Sequence, residues 1–265
     1  MTTIRFTKMH GLGNDFMVID ATQQPCRLIP EQIRQLADRH TGIGFDQLLL
    51  IEPPKHGKMD FFYRIFNVDG SEAEQCGNGL RCITQYIHTK KLSLKNPLQI
   101  GTLKGLQLSE QLAGGLVRVV MGKPSYVIGF EEIQVQNQVV KSFSLGMGNP
   151  HTVILVNDVS IAKVAELGKS LNNHPHFSKG VNVEFMQVLT PSHIRLRVFE
   201  RAVGETLACG SGACAAVAAG QAQGLLMPEV TVELPGGELW IATDSAKQLT
   251  MIGPAATVYE GEIIL

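Results

Sequence analysis

The chain has 265 residues, 44% of them hydrophobic and 18% charged, which is enough apolar material for one large or two medium cores. A formal net charge of −1 leaves no basic footprint for a nucleic acid or an anionic membrane surface, and no apolar run approaches the roughly 20 residues that span a bilayer. The opening Met1-Thr2-Thr3-Ile4-Arg5 lacks the apolar stretch of a signal peptide, and five cysteines form an odd set in a chain too large to need disulfide staples, so the expectation is a soluble cytoplasmic protein with reduced thiols.

In chain order, residues 30–40 are expected to form an amphipathic helix with Ile33, Leu36 and Ala37 on one side. A second helix follows Cys76, where Leu80, Ile83 and Ile87 recur at helical spacing. Residues 101–121 read as strands turned at Gly105 and at Gly114-Gly115. Within them residues 116–120, like residues 194–198 later on, alternate and are β-branched. Residues 213–219 are Ala-rich and apolar all round, the signature of a buried helix. A last strand is expected over residues 256–265.

Two copies of one short motif organise these elements: Cys76-Gly77-Asn78-Gly79 and Cys209-Gly210-Ser211-Gly212. The cysteines are 133 positions apart. Asn67 lies nine residues before the first and Glu200 nine before the second. Asn14 and Asn149 are 135 apart, as are Gln47 and Asn182. A common offset of 133–135 linking four pairs of polar positions points to a duplicated domain whose pseudo-twofold axis sets equivalent residues across a shared cleft. The expected fold class is therefore α/β, of the α+β type. It has two pseudo-symmetric domains, residues 1–118 and 119–255, with the strand 256–265 able to join the first. Each domain is expected to be a curved mixed sheet or barrel around a central helix, with the active site in the cleft between them.

The residue types suggest what such a cleft could do. A helix N-terminus offers N–H groups and a positive dipole end that favour a thiolate. Glycines after each cysteine let backbone amides come close to a bound carboxylate. Two such turns around one substrate would hold an α-carboxylate with Gly77, Asn78, Gly210 and Ser211. Cys76 and Cys209 would then flank the α-carbon, one thiolate taking a proton while the other thiol returns one to the far face. Cys26, Cys82 and Cys214 read as small hydrophobes. A zinc site from Cys76, Cys82, Cys209 and Cys214 lacks the usual tight spacing. A phosphate cradle lacks the Walker Lys-Ser/Thr pair and the full dinucleotide fingerprint. His151, after Pro150, is a candidate cleft residue that tunes a thiol.

Longer segments carry a resemblance. Lys8-Met9-His10-Gly11-Leu12-Gly13-Asn14-Asp15-Phe16, Phe66-Asn67-Val68-Asp69-Gly70-Ser71, Cys76 to Cys82, Gly148-Asn149-Pro150-His151, Glu200-Arg201 and Gly204 to Cys214 together resemble diaminopimelate epimerases from end to end, with Leu80 where Ala is common. The resemblance implies a cofactor-independent, metal-free enzyme that interconverts LL- and meso-diaminopimelate in lysine and peptidoglycan precursor synthesis, acting as a homodimer. It also implies that Cys76 and Cys209 are the acid–base pair. Asn67, Asn149, Asn182 and Arg201 would bind the distal carboxylate, Glu200 would bind the distal ammonium, and Asn14 and Gln47 would line the cleft. Two alternatives stand beside it: a related proline or hydroxyproline racemase, which would have no use for Glu200-Arg201, and a non-catalytic amino-acid-binding protein, which would have no use for two thiols.

Overall fold

The structure, a computed structural model, describes residues 3–74, 76–135, 138–201 and 203–265. The chain divides into two units, Met1–Val119 with Gly253–Leu265, and Val120–Ile252. The first opens with β1 (Thr3–Gly11) and β2 (Asn14–Asp20), followed by α1 (Pro30–Ala37), β3 (Gln47–Glu52), β4 (Phe61–Asn67) and β5 (Glu72–Ala73). It continues through α2 (Gly77–Thr89), β6 (Leu98–Thr102), β7 (Gly105–Gln111) and β8 (Leu116–Gly122). The second unit runs β9 (Tyr126–Val135), β10 (Gln138–Gly146), β11 (Pro150–Leu155), α3 (Val164–Asn172), β12 (Asn182–Thr190), β13 (His193–Glu200) and β14 (Gly204–Thr206). After these come α4 (Gly210–Ala222), β15 (Glu229–Leu234), β16 (Gly237–Thr243) and β17 (Leu249–Pro254), and the chain closes with β18 (Ala256–Ile264).

The two units repeat one pairing scheme. In the first, β1 pairs antiparallel with β2 and with β18, β2 parallel with β3, β3 antiparallel with β4, and β4 parallel with β6. In the second, β10 pairs antiparallel with β11 and with β9, β11 parallel with β12, β12 antiparallel with β13, and β13 parallel with β15. The short strands β5 and β14 add to β4 and β13 in the same way. Each unit is a curved mixed sheet around one helix, α2 or α4, with a second helix, α1 or α3, on the outside.

Strand β3 shows how the sequence sets these layers. Leu48, Leu49, Leu50 and Ile51 are all buried, so the strand reads as a continuous apolar run instead of an alternating one, as expected for a strand covered on both faces. Leu48 and Leu50 join an outer core with Ile33, Leu36 and Ala37 of α1. Leu49, out of phase, lies against Gly79 of α2, where an added Cβ would sit 3.2 Å from its methyl carbon. Strand β12 divides the same way: Val183 and Phe185 join an outer core with Val164 and Leu171 of α3, and Glu184 lies against Gly212 of α4.

The central helices differ as their sequences require. Helix α2 buries Leu80, Ile83 and Ile87 completely. Helix α4 buries small residues on every side, among them Ala213, Ala215, Ala216 and Ala219. The helix expected over residues 30–40 ends at Ala37. There the Asp38 carboxylate accepts the N–H groups of His40 and Thr41, offering the backbone a local alternative to another helical turn. The β1–β2 turn has positive φ at both Leu12 and Gly13, the requirement of a two-residue hairpin turn matched to strand twist. Among the described residues, no helix is long and apolar enough to cross a membrane.

Because Ile83 is wholly buried between α2 and its sheet, Ile83→Ala is expected to destabilise the protein by about 3 kcal/mol through lost burial and the cavity left behind. A urea titration would measure this as a lowered midpoint.

Candidate active site

Strands β2 and β3 run parallel and β4 runs opposite to them, so the starts of the first two and the end of the third fall at one edge of the first unit. That edge carries Asn14, Gln47 and Asn67, and the N-terminus of α2 brings Cys76 to it. The second unit brings Asn149, Asn182, Glu200 and Cys209 together by the same geometry.

Each cysteine is the N-cap of its central helix. Cys76 has φ −142°, ψ 114° and Cys209 has φ −122°, ψ 111°, both extended. The sulfur of Cys76 accepts the Gly79 N–H at 3.4 Å, and the sulfur of Cys209 accepts the Gly212 N–H at 3.4 Å. The Cys76 and Cys209 carbonyls accept from Leu80 and Ala213. The helices' own backbone bonds thus begin at Leu80 and Ala213, and the N–H groups of Gly77, Asn78, Gly210 and Ser211 belong to the first turn, where a helix start attracts an anion.

In the first unit, the Cys76 thiol donates to Asn14 Oδ1 at 3.8 Å, and Asn78 Nδ2 donates to the same oxygen at 3.2 Å. Asn14 is held from behind, its Nδ2 donating to Asp46 Oδ2 at 2.9 Å. Asp46 belongs to a charged cluster in which Arg39 bridges Asp46 and Asp15 at 2.8 Å each, and Lys8 reaches Asp15 at 2.6 Å. Gln47 Nε2 donates to Asn67 Oδ1 at 2.9 Å, directly across the β3–β4 pair.

In the second unit, Asn182 Oδ1 accepts the Arg201 backbone N–H at 2.9 Å and its Nδ2 donates to the Pro150 carbonyl at 3.1 Å. Glu200 accepts from Thr206 Oγ1 at 2.6 Å. The Arg201 guanidinium donates to the Lys179 carbonyl at 3.2 Å. His151 Nδ1 meets Glu184 Oε1 at 2.7 Å and Nε2 meets Asn149 Oδ1 at 2.9 Å. Glu184, Asp46 and Thr206 are site neighbours that the motif reading missed. For Glu184 the signal was present, since an acidic residue sits between the apolar Val183 and Phe185-Met186 at the place where the first repeat has Leu49.

The electrostatics of the second thiol correct one expectation. Burial pushes Cys209 well above the ordinary thiol range, and the Glu200 and Glu184 carboxylates add to this. The bonds from Ser211 and Gly212 pull the other way and do not prevail. A helix N-terminus lowers a thiol pKa only where desolvation is modest, and Cys209 is 4% exposed. Burial likewise raises Cys82 to about 12 and Cys26 to about 11, in keeping with packing roles.

A family profile described as diaminopimelate epimerase matches residues 6–127 and 143–258. The diaminopimelate epimerase of Azoarcus sp. (strain BH72) is 50% identical over 274 residues, covering 99% of this chain and 99% of that protein. That of Acinetobacter baylyi is 49% identical, covering 99% and 98%. The chain belongs to the diaminopimelate epimerase family. Solved structures extend the fold beyond diaminopimelate epimerases. A hydroxyproline epimerase from Agrobacterium vitis, with bound trans-4-hydroxy-L-proline, superimposes with a TM-score of 0.72 at 16% identity, covering 98% of this chain and 92% of that one. A Bacillus anthracis protein of the PhzF phenazine-biosynthesis family does so with a TM-score of 0.76 at 16% identity over the whole of both chains. At such identity these neighbours share the fold alone, so the proline-racemase alternative rests on fold kinship, whereas the named diaminopimelate epimerases match at half of all positions.

Two measurements follow from this geometry. Cys76 is partly exposed and Cys209 buried, so iodoacetamide at neutral pH should modify Cys76 well before Cys209, as read by peptide mass spectrometry. Burial raises Asp15, but the bonds from Arg39 and Lys8 more than reverse this and hold it at about 2. A depressed carboxyl contributes stability that is complete above its unfolded pKa near 3.9 and is lost as the pH falls through about 2. Asp15→Asn should remove about 2 kcal/mol of stability at neutral pH and flatten the acid limb of the denaturation profile.

Proposed function

We propose that this chain epimerises diaminopimelate between its LL and meso forms, with Cys76 and Cys209 as the two proton-transfer groups. The observation that carries the reading is the repeated cap: each unit begins its central helix with a thiol beside the amides of the first turn. One thiolate breaks the substrate's α-C–H bond and becomes a thiol. The electron pair spreads onto the α-carboxylate, held by the N–H groups of Gly77, Asn78, Gly210 and Ser211, so that negative charge grows where donors already point. The other thiol gives its proton to the opposite face and becomes the thiolate. Burial and the neighbouring carboxylates favour the protonated form of Cys209, which suits it to donate when Cys76 is the base, and in the reverse direction the two exchange roles.

The remaining polar groups suit a substrate with a second amino-acid end. Arg201 has the planar fork that suits a carboxylate, and Asn67, Asn149 and Asn182 add neutral donors. Glu200 is the anion for the distal ammonium, and Asn14 and Gln47 complete the lining. By the same resemblance we place the activity in the cytoplasm, in lysine and peptidoglycan precursor synthesis, with a homodimer as the working form.

The test is turnover of LL-diaminopimelate in D2O, following α-deuterium by mass and configuration by chiral chromatography. Inversion with incorporation is expected, and Cys76→Ala or Cys209→Ala should each lose at least a hundredfold in kcat, the lower range for a missing acid–base group. Turnover of proline without turnover of diaminopimelate would overturn the reading.

A further inference from the structure

His151 and Glu184 form a pair buried to 1% and 0% exposure. The duplicated fold supplies an internal control for this pair. The parallel pairs Phe16–Gln47 and His151–Asn182 are equivalent in register, which sets Phe16 against His151 and, two residues along the partner strand, Leu49 against Glu184. Packing agrees: the Cβ position of Gly79 lies 3.2 Å from Leu49, and that of Gly212 lies 2.9 Å from Glu184. The first unit therefore builds the same layer from Phe16 and Leu49, both fully buried, and the fold itself does not require a charged pair there.

We infer that Glu184, acting through His151, is the positioning residue that fixes which end of the Asn149 amide is presented to substrate. The inference rests on the proposed function, in which Asn149 binds a carboxylate. Two proton arrangements are self-consistent. In one, an ionised Glu184 accepts from His151 Nδ1–H, and the Nε2 lone pair accepts from Asn149 Nδ2. That leaves a full negative charge uncompensated in a site closed to water, which is costly. In the other, the pair holds one more proton and is neutral as a whole. Whether that proton sits on the carboxyl or on the ring, Nε2 carries a hydrogen, and only Asn149 Oδ1 can receive it. The contact at Nε2 is with Oδ1, at 2.9 Å. Burial also raises the Glu184 carboxyl against the pull of His151, in the direction of the neutral pair.

The consequence is an asymmetry between equivalent asparagines. Asp46 takes Asn14 Nδ2 and leaves the carbonyl oxygen toward Cys76. The position equivalent to Asp46 in the second unit is Val181, which cannot accept a hydrogen bond. There the buried pair takes the carbonyl oxygen instead and leaves Nδ2 as the donor. In a neutral pair the extra proton offsets the Glu184 charge beside Cys209, whose sulfur lies, like Glu184 Oε1, within 3.3 Å of the Gly212 Cβ position.

Glu184→Gln keeps shape and neutrality but lets His151 adopt either tautomer. It should raise KM for diaminopimelate roughly ten- to hundredfold, the equivalent of one charge-assisted hydrogen bond, with kcat within about threefold. In an Asn149→Ala background the same change should leave KM unmoved, as expected for residues acting as one unit. The double variant His151→Phe with Glu184→Leu, which copies the first unit, should stay folded with a melting temperature within about 5 °C of the parent, yet show the raised KM. Independently of activity, nitrogen-15 spectra of labelled histidine should show His151 protonated at Nε2 in the parent and as mixed tautomers in Glu184→Gln. An unchanged KM in Glu184→Gln, an equal rise with Asn149 already removed, or an unprotonated Nε2 in the parent would each overturn the inference. If the parent does not turn over diaminopimelate, the proposed function falls while the nitrogen-15 result still decides the amide's orientation.

Discussion

Each unit depends on a helix buried within its own sheet, with its first turn brought to one edge. Burying a helix on all sides demands small or apolar residues along its length and a close approach at its start, and α4 meets both demands with alanines and with Gly212. The N-terminal N–H groups must then be satisfied by something other than water. In each unit a cysteine sulfur takes the third helical N–H, which sets the thiol and the first-turn amides at the same edge. The cap that ends the helix and the group proposed to move the proton are one atom.

That arrangement was legible in the sequence to an uneven degree. The repeated Cys-Gly motif and the common offset expose the duplication, and apolar spacing places α2 and α4, because helical spacing and unbroken hydrophobicity are local properties. The end of α1 was not legible: Asp38 competes for the backbone through a side-chain turn, which periodicity does not register. The environment of Cys209 was not legible either. A helix start alone favours the thiolate, whereas the burial that opposes it comes from three-dimensional packing that a local motif does not register.

Duplication also clarifies which polar groups the fold needs and which it merely tolerates. Two copies of one scaffold have solved the same packing problem with different residues, so a position that is apolar in one and charged in the other carries little structural obligation. Phe16 and Leu49 against His151 and Glu184 are such a pair of solutions, as are Asp46 and Val181. The units share strands, register and caps, while their polar linings differ.

The sulfur cap carries a further consequence, for adaptation. Oxygen side chains such as serine lead the ranking at helix starts, and sulfur is a weak acceptor, bonding here at 3.4 Å. Each unit therefore retains a mediocre cap at its most conspicuous helix terminus. Selection for heat resistance alone would drive both positions from cysteine to serine, trading chemistry for stability in a single atom exchange. Both positions are cysteine in this chain, so thermal hardening that keeps the thiols would have to be sought elsewhere, in α1, α3 and the outer strands.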